Sequence, residues 1–197
     1  LAIVQTRDGF LWMGTYEGLA RFDGARFTTF ATTNTAAIAN NRISCLLEDR
    51  EGSLWIGTNG GGLVRYKDGR FVRFAAADGL AHDGVLSLLE DSDGSLWVGT
   101  NGGGVSRLRQ GRWTTYTTRD GLSNDTVWSL LEDREGSLWM GTNGGGLNRL
   151  RDGRARPPRR ARWPAEWRPC RTKVISPSGS RGWPRSSSRR TTATDQA

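Results

Sequence analysis

The chain has 197 residues, enough for one domain of ordinary size with an appended segment. Residues 1–153 carry a formal charge of −2 and residues 154–197 a charge of +10, which together give the net charge of +8. No apolar run approaches the roughly 18 residues that a membrane span needs, and no secretion signal precedes the first motif, so we expect a piece of a longer protein. All six prolines lie after residue 153, and the two parts are therefore interpreted separately.

A short motif of the form Leu-Trp-x-Gly-Thr occurs four times in residues 1–153. Successive copies are 43, 42 and 42 residues apart, and periods of this length are typical of solenoids and propellers. Short β-branched and aromatic runs alternate with Gly, Asn and Asp turns, and no helical pattern interrupts them. The tryptophans of the motif are Trp12, Trp55, Trp97 and Trp139.

The second repeat contains four predicted strands, which we label a to d in every repeat. Turns with glycine, such as Asp68-Gly69, favour tight hairpins between neighbouring strands. Four antiparallel strands per period make one propeller blade. The predicted strands of the second repeat span residues 42–49, 53–58, 63–67 and 70–74.

The sequence therefore predicts an all-β fold of β-propeller blades, forming an incomplete propeller of nearly four blades. The fourth blade is expected to lack strand d, because Arg-Ala-Arg-Pro follows residue 153 where the other repeats have Phe71 and Trp113. An incomplete ring leaves two sheets uncovered, so we expect further blades of the same parent chain, a second copy, or a tight four-blade closure. The predicted blades span residues 1–32, 33–76, 77–118 and 119–153.

The repeated tryptophans are assigned to packing between blades, because such packing requires one copy in every blade. Sugar stacking on an exposed tryptophan is the functional alternative. Trp128 is different, because the equivalent positions hold Ser44 and Leu86, and we expect it to face the central channel or a ligand. The glycines of the motif are assigned the same structural role as its tryptophans; in the complete repeats they are Gly57, Gly99 and Gly141.

Residues 130–150 read Leu-Leu-Glu-Asp-Arg-Glu-Gly-Ser-Leu-Trp-Met-Gly-Thr-Asn-Gly-Gly-Gly-Leu-Asn-Arg-Leu, which resembles the two-component regulator propeller repeat. Four copies cover residues 1–153. The resemblance implies rings of usually seven blades, often two in tandem, in the extracytoplasmic sensor part of bacterial membrane receptors. It also implies ligand sensing, with carbohydrates as the ligands of the best-known branch. The output domains it implies are histidine kinases, hybrid two-component systems or diguanylate cyclases.

The chain departs from that family pattern, because it has fewer blades than the usual ring and neither a membrane helix nor an output domain. We therefore expect a non-catalytic, ligand-binding sensor fragment in a periplasmic or extracytoplasmic location, with kinase or cyclase activity outside this chain. Two alternatives stay open: a propeller scaffold for protein–protein interaction, and a propeller hydrolase or lyase. The expected partners are a carbohydrate or other small ligand, no nucleic acid, and a membrane only through other parts of the parent protein.

The loops from strand d to strand a and from strand b to strand c emerge on one face, and the short hairpins emerge on the other. The first face carries the more variable polar loops, so it is the predicted recognition surface. Asn59, Asn101 and Asn143 repeat identically and are interpreted as turn residues that cap their own backbone. The candidate ligand residues are those that vary between copies, namely Tyr16, Glu17, Arg42, His82, Asp83, Asn124, Asp125 and Trp128.

No catalytic residue, metal site or cofactor is predicted. His82 is the one histidine of the chain and has no nucleophile at a recognisable spacing, so its default role is in a turn. Cys45 and Cys170 lie in different segments and support neither a disulfide nor a zinc site. The carboxylate pairs that end strand a, such as Glu90-Asp91, recur in every full blade and are interpreted as support for the hairpins.

Residues 154–197 contain eleven arginines and six prolines but no Phe, Leu or Tyr, so we expect this segment to be disordered. A nucleic-acid-binding arm is the functional alternative. We favour a shifted reading frame, because the codons of residues 162–167, read one base later, permit Asp-Gly-Leu-Pro-Asn-Gly, which is similar to the repeat.

Overall fold

Four antiparallel sheets of four strands each follow one another along the chain in the computed structural model, which describes residues 2–151 and 154–156. In every sheet the strands are hydrogen-bonded in the order in which they occur in the sequence. The expectations of disorder and of a shifted reading frame after residue 156 lie outside the described residues. The strands are β1 (Ala2–Gln5), β2 (Leu11–Gly14), β3 (Leu19–Phe22), β4 (Phe27–Phe30), β5 (Ile43–Glu48), β6 (Leu54–Thr58), β7 (Leu63–Lys67), β8 (Arg70–Phe74), β9 (Val85–Glu90), β10 (Leu96–Thr100), β11 (Val105–Arg109), β12 (Arg112–Tyr116), β13 (Val127–Glu132), β14 (Leu138–Thr142), β15 (Gly146–Arg151) and β16 (Arg154–Arg156).

The all-β propeller fold predicted from the repeats is confirmed. In the second sheet, β7 and β8 coincide with the predicted strands, and β5 and β6 differ from them by one residue at their ends. The structure adds single turns of 3-10 helix at Ala76–Asp78 and Thr118–Asp120, just before β9 and β13. Within residues 2–151 and 154–156, no helix has the length and apolar character needed to cross a membrane.

The first strand of each sheet lies innermost. β1 contacts β5, β5 contacts β9, and β9 contacts β13, so these first strands make the main backbone contacts between neighbouring sheets. A β-bulge interrupts β5, β9 and β13 at the same place and leaves Ser44, Leu86 and Trp128 outside the ladder. Since bulges bend and twist a strand, they help the inner strands to converge.

A tryptophan fills each junction between neighbouring sheets. Trp12, Trp55 and Trp97 are 1%, 4% and 3% exposed, and each packs with apolar side chains of the sheet that follows. Trp55, for example, shares one cluster with Val85 and Val98. Burying an indole contributes roughly 5 kcal/mol before the entropy of ordering is subtracted. The repeated tryptophan is therefore a large part of the apolar contact at each of these junctions.

The glycine two residues after each tryptophan lets the following sheet come close. A Cβ atom on Gly57 would lie 2.7 Å from Val85 Cγ1. A Cβ atom on Gly99 would lie 2.8 Å from the Val127 carbonyl oxygen. Any larger residue at these positions would therefore push the inner strands of neighbouring sheets apart.

An aspartate holds the junction tryptophan in place. In the second, third and fourth sheets, the indole N–H donates a 2.7 Å hydrogen bond to the aspartate six residues earlier. In the third sheet, Asp91 accepts this bond from Trp97 and also accepts backbone N–H bonds from Asp93 and Ser95, at 3.0 and 2.7 Å. One carboxylate thus closes the hairpin turn and orients the indole. In the fourth sheet, the same indole bond lowers the pKa of Asp133 below its ordinary value.

A glutamate at the end of the inner strand ties its sheet to the preceding one. Glu90 accepts a 2.8 Å hydrogen bond from the Arg50 backbone N–H, and Glu132 accepts a 2.7 Å bond from the Ser92 backbone N–H. The Arg50 guanidinium donates a 2.9 Å hydrogen bond to the Ser92 carbonyl oxygen. The recurring carboxylate pairs therefore support the hairpins, as the sequence indicated, and also join neighbouring sheets.

The fourth sheet contains a strand that the sequence did not predict. β16 pairs with β15, so this sheet reaches residue 156 instead of ending at the predicted bound of residue 153. Strand pairing uses backbone N–H and C=O groups, which Arg-Ala-Arg supplies as well as an aromatic segment does. The strand differs from its equivalents in residue type, because Ala155 stands where β8 has Phe71 and β12 has Trp113.

Replacing Asp91 by alanine removes an acceptor of three hydrogen bonds at a residue that is 8% exposed. We expect the free energy of unfolding to fall by about 3 kcal/mol, because bonds to a charged group contribute strongly and the Trp97 indole is left without its partner. Urea denaturation followed by tryptophan fluorescence measures the change. Asp93→Ala, an exposed neighbour in the same turn, is the control and should change stability by less than about 0.5 kcal/mol. Equal stability of the two variants would contradict the role assigned to Asp91.

Candidate ligand-binding site

The loops after strand b meet the loops that lead into the next inner strand. The backbone N–H groups of Gly60 and Gly62 donate to the Asp83 carbonyl oxygen, at 3.1 and 2.8 Å. The equivalent glycines of the third sheet donate to the Asp125 carbonyl oxygen, at 3.2 and 2.7 Å. The two kinds of loop therefore form one continuous surface, which we call the loop face. The loop face consists of residues 15–18, 31–42, 59–62, 75–84, 101–104, 117–126 and 143–145.

His82 and Asn124 hold their own loops in shape. The Gly84 backbone N–H donates a 2.9 Å hydrogen bond to His82 Nδ1, and the Thr126 backbone N–H donates a 2.8 Å bond to Asn124 Oδ1. Asn40 makes the equivalent bond one blade earlier, at 2.8 Å. All three side chains thus accept from the backbone two residues ahead, which is a turn role of the kind that the sequence indicated by default for His82.

Asp83 and Asp125 fasten the short 3-10 turns to the loop face. Asp83 Oδ1 accepts a 2.8 Å hydrogen bond from the Ala76 backbone N–H, and Asp125 Oδ1 accepts a 2.7 Å bond from the Thr118 backbone N–H. Four of the eight candidate residues therefore use polar side-chain atoms to hold the backbone. The variation between copies at these positions is explained by different side chains that supply the same acceptor.

Tyr16 and Arg42 are brought together at the first junction. The Arg42 guanidinium lies 5.0 Å from the centroid of the Tyr16 ring, and both side chains are exposed, Tyr16 to 57%. Glu17 is exposed beside them, and its backbone N–H donates a 3.0 Å hydrogen bond to the Thr15 hydroxyl. A ring next to a guanidinium offers a stacking surface and several N–H donors to a ligand.

Trp128 lies at the bulge of β13, in an innermost strand, and is 57% exposed. At the equivalent bulge of β5, the Ser44 hydroxyl donates a 2.5 Å hydrogen bond to the Val85 carbonyl oxygen of the next inner strand. The described residues provide no ring or cation contact between Trp128 and the Tyr16–Arg42 pair. The structure therefore unites two of the candidate residues and leaves Trp128 as a separate exposed aromatic group near the propeller axis.

Three asparagines that the sequence assigned to turn capping have exposed side chains instead. Asn59, Asn101 and Asn143 directly follow strand b, at the position that Tyr16 occupies in the first sheet. The backbone N–H of Asn59 donates to the Arg42 carbonyl oxygen at 2.9 Å, while within the described part of the chain the three side-chain amides have no hydrogen-bond partner. We call the five exposed residues Tyr16, Arg42, Asn59, Asn101 and Asn143 the inner rim. In the sequence, the asparagine that precedes each glycine triplet could have indicated these exposed side chains. The glycine N–H groups make the backbone hydrogen bonds that hold the loop, so the asparagine side chain is not needed for that purpose.

Two cavities lie on the opposite face, at the hairpin ends of the junctions. The cavity between the first and second sheets has a volume of about 210 Å³, and the cavity between the second and third sheets about 380 Å³. In the larger one, Asp49 accepts from the Trp55 indole and Glu90 from the Arg50 backbone N–H. Because these acidic groups already serve the junction, the candidate site is placed on the loop face.

Three segments of the chain match the family model described as two component regulator propeller, at residues 37–60, 79–102 and 121–144. Each segment runs from the loop before an inner strand to the loop after strand b, so it includes one tryptophan motif and one asparagine of the inner rim. The extracellular domain of a hybrid two-component system from B. thetaiotaomicron is 28% identical, with a TM-score of 0.72. The chain carries two-component regulator propeller repeats.

The match to that extracellular domain covers 80% of this propeller chain and 24% of the domain. The extracellular domain of a second hybrid two-component system from B. thetaiotaomicron is 23% identical, with a TM-score of 0.66, and the match covers 76% of the propeller chain and 23% of that domain. Virginiamycin B lyase from Staphylococcus aureus is 15% identical, with a TM-score of 0.57, and the match covers 78% of this chain and 52% of the lyase. This likeness concerns the fold alone. No curated protein matches the chain.

His82 is expected to be replaceable by asparagine but not by alanine. The His82→Asn variant keeps an acceptor for the Gly84 backbone N–H, as Asn40 and Asn124 do in their own turns, whereas His82→Ala leaves that N–H group unpaired. We expect the alanine variant to lose about 1 kcal/mol of unfolding free energy and the asparagine variant less than about 0.5 kcal/mol. Urea denaturation of both variants measures the difference. A larger loss for the asparagine variant would show that His82 acts in some other way.

Proposed function

We propose that this chain is a ligand-binding sensor module of a bacterial two-component-type receptor, that it lies on the extracytoplasmic side of the membrane, and that it is not itself an enzyme. The proposal is supported by the repeat family and by the two relatives from B. thetaiotaomicron, both extracellular domains of hybrid two-component systems. Histidine kinase or diguanylate cyclase output then belongs to other parts of the parent protein.

The inner rim is the proposed binding surface, and its exposed amides are the observation that carries the proposal. Asn59, Asn101 and Asn143 each present one carbonyl acceptor and two N–H donors at equivalent positions of successive sheets. The Tyr16–Arg42 pair adds a ring and a guanidinium at one end of this series. Regularly spaced donors and acceptors next to an aromatic ring suit a hydroxyl-rich ligand, so a carbohydrate is the proposed ligand class.

A hydrolase or lyase function has less support. The likeness to virginiamycin B lyase, at 15% identity, concerns the fold. His82 Nδ1 is engaged with the Gly84 backbone N–H, so its geometry is that of a turn residue rather than a general base facing a substrate. Burial raises the pKa of Cys45 to about 12, so its thiol is a poor nucleophile at neutral pH.

Titration calorimetry against a panel of neutral and acidic oligosaccharides tests the proposal. We expect saturable binding by one class of saccharide, with about fivefold to tenfold weaker binding for Asn101→Ala, because a lost hydrogen bond contributes about 1 kcal/mol. Arg42→Ala should weaken binding at the other end of the inner rim. Thr114→Ala, exposed on the outer strand β12, is the control and should bind like the unchanged chain.

Two results would refute the proposed site. One is that no saccharide binds, and the other is that Asn101→Ala and Thr114→Ala bind equally well. Binding of protein partners alone, with no saccharide bound, would favour the alternative of a scaffold for protein–protein interaction.

A further inference from the structure

In the second, third and fourth sheets, an arginine on strand c pairs in register with the junction tryptophan. In the third sheet, Arg107 donates a 2.8 Å hydrogen bond to the Ser95 hydroxyl and lies 3.8 Å from the Asp91 carboxylate. Arg149 makes the equivalent two contacts in the fourth sheet, at the same distances. These two guanidinium groups are therefore held by polar groups of their own sheet.

Arg65 is the equivalent arginine of the second sheet, and its guanidinium is not held in this way. Ser53 and Asp49 are present at the corresponding places, but Arg65 makes no hydrogen bond or ion pair within the described residues. Its guanidinium carbon lies 5.9 Å from the centroid of the Trp55 ring, and its Nε atom is buried without an acceptor among those residues. Arg65 therefore has a charge and N–H donors that its own sheet does not use.

A third cavity lies beside Arg65, at the outer end of the second sheet. Its volume is about 420 Å³, and its lining residues, from β7, β8 and the turn between them, are Arg65, Lys67, Asp68, Arg70 and Val72. Sites for small molecules commonly have volumes of about 300 to 1,000 Å³, so this cavity has room for a compact ligand. The second sheet has a described sheet on each side of it, so the cavity does not depend on where the described chain begins or ends.

Positive charge predominates in this cavity. Lys67 and Arg70 lie directly opposite each other in the β7–β8 ladder, and Arg65 precedes Lys67 by two residues on the same side of the sheet. Like charges directly opposite each other destabilise a sheet. Asp68 supplies the one carboxylate of the lining, and the exposed Glu51 lies 3.6 Å from the Lys67 amine. Because so exposed an ion pair contributes little, the positive charge of the cavity is largely uncompensated.

We propose that this cavity binds a tetrahedral oxyanion, phosphate or sulfate, either free or carried by a small molecule. Such a group has three free oxygens even when it is esterified, so each oxygen can accept from one of the three cationic side chains. Bound between Lys67 and Arg70, it also relieves the repulsion of the opposite pair. Val72, 42% exposed, offers an apolar contact to a carrier molecule. No residue is shared with the inner rim, so this site does not rest on the proposed saccharide binding.

Titration calorimetry of the full chain with glycerol 3-phosphate, at constant ionic strength, tests the proposal. Inorganic phosphate and inorganic sulfate are the free anions for comparison, and glycerate is the carboxylate. We expect a Kd below about 1 mM for glycerol 3-phosphate, weaker binding of the two inorganic anions, and no saturable binding of glycerate. Equal binding of inorganic phosphate and glycerol 3-phosphate would show that the free oxyanion is the ligand, whereas weaker binding of inorganic phosphate would show that the carrier contributes.

Arg65→Gln should weaken the binding of glycerol 3-phosphate at least about tenfold, because it removes charge-assisted hydrogen bonds. The double substitution Lys67→Gln with Arg70→Gln should do the same. Arg109→Gln with Arg112→Gln is the matched control, because it removes the same charge from the directly opposite pair at the equivalent positions of the third sheet. The control should bind like the unchanged chain. The basic residues after position 153 are present in every variant, so they do not contribute to the difference.

Four results would overturn the proposal. They are no saturable binding of phosphate or sulfate up to about 10 mM, unchanged binding by the Arg65→Gln variant, an equal loss of binding in the control variant, and glycerate that binds as tightly as glycerol 3-phosphate. Lys67 and Arg70 lie near the surface, so an unchanged urea midpoint should accompany the loss of binding in their double variant.

Discussion

The burial of one tryptophan between each pair of neighbouring sheets is the contact on which the rest of this structure depends. A sheet of four strands with about five residues each cannot bury an apolar face by itself and must pack that face against another layer. In the third sheet, Asp91 accepts from the Trp97 indole, and the Arg107 guanidinium lies 5.0 Å from the indole ring centroid and 3.8 Å from the same carboxylate. Because that carboxylate also closes the hairpin turn, turn geometry and packing between sheets are coupled in every full repeat.

Neighbouring sheets are joined in different ways on the hairpin face and on the loop face. On the hairpin face, side chains do the joining, since Glu90 and Glu132 accept backbone N–H groups of the preceding sheet. On the loop face, backbone groups do much of the joining, since glycine N–H groups donate to the Asp83 and Asp125 carbonyl oxygens. Because backbone hydrogen bonds hold these loops, nearby side chains are not needed to hold them. The side chains of the inner rim, such as that of Asn101, are therefore exposed on loops that the neighbouring sheets keep in place.

Comparing the repeats with one another predicted the fold well but predicted the residues of the candidate site less well. His82 and Asn124 differ in residue type but place an acceptor at the same turn, so their variation carries no information about a ligand. Asn59 and its equivalents are identical in every full repeat, yet their side-chain amides are exposed and make no hydrogen bond within the described residues. Tyr16 and Arg42 are 26 positions apart in the sequence, and their contact depends on the packing of two sheets.

The sequence by itself determined the strands, the turns, the 42-residue period and the tryptophan positions, because alternating apolar residues and glycine turns act within a single repeat. Tertiary structure decided what depends on distant neighbours. β16 pairs through backbone groups that have no side-chain signature, so Arg-Ala-Arg gave no indication of a strand. Leu147 and Leu63 occupy the same place in the repeat, but one is exposed and the other buried, because a sheet follows only one of them in the described structure.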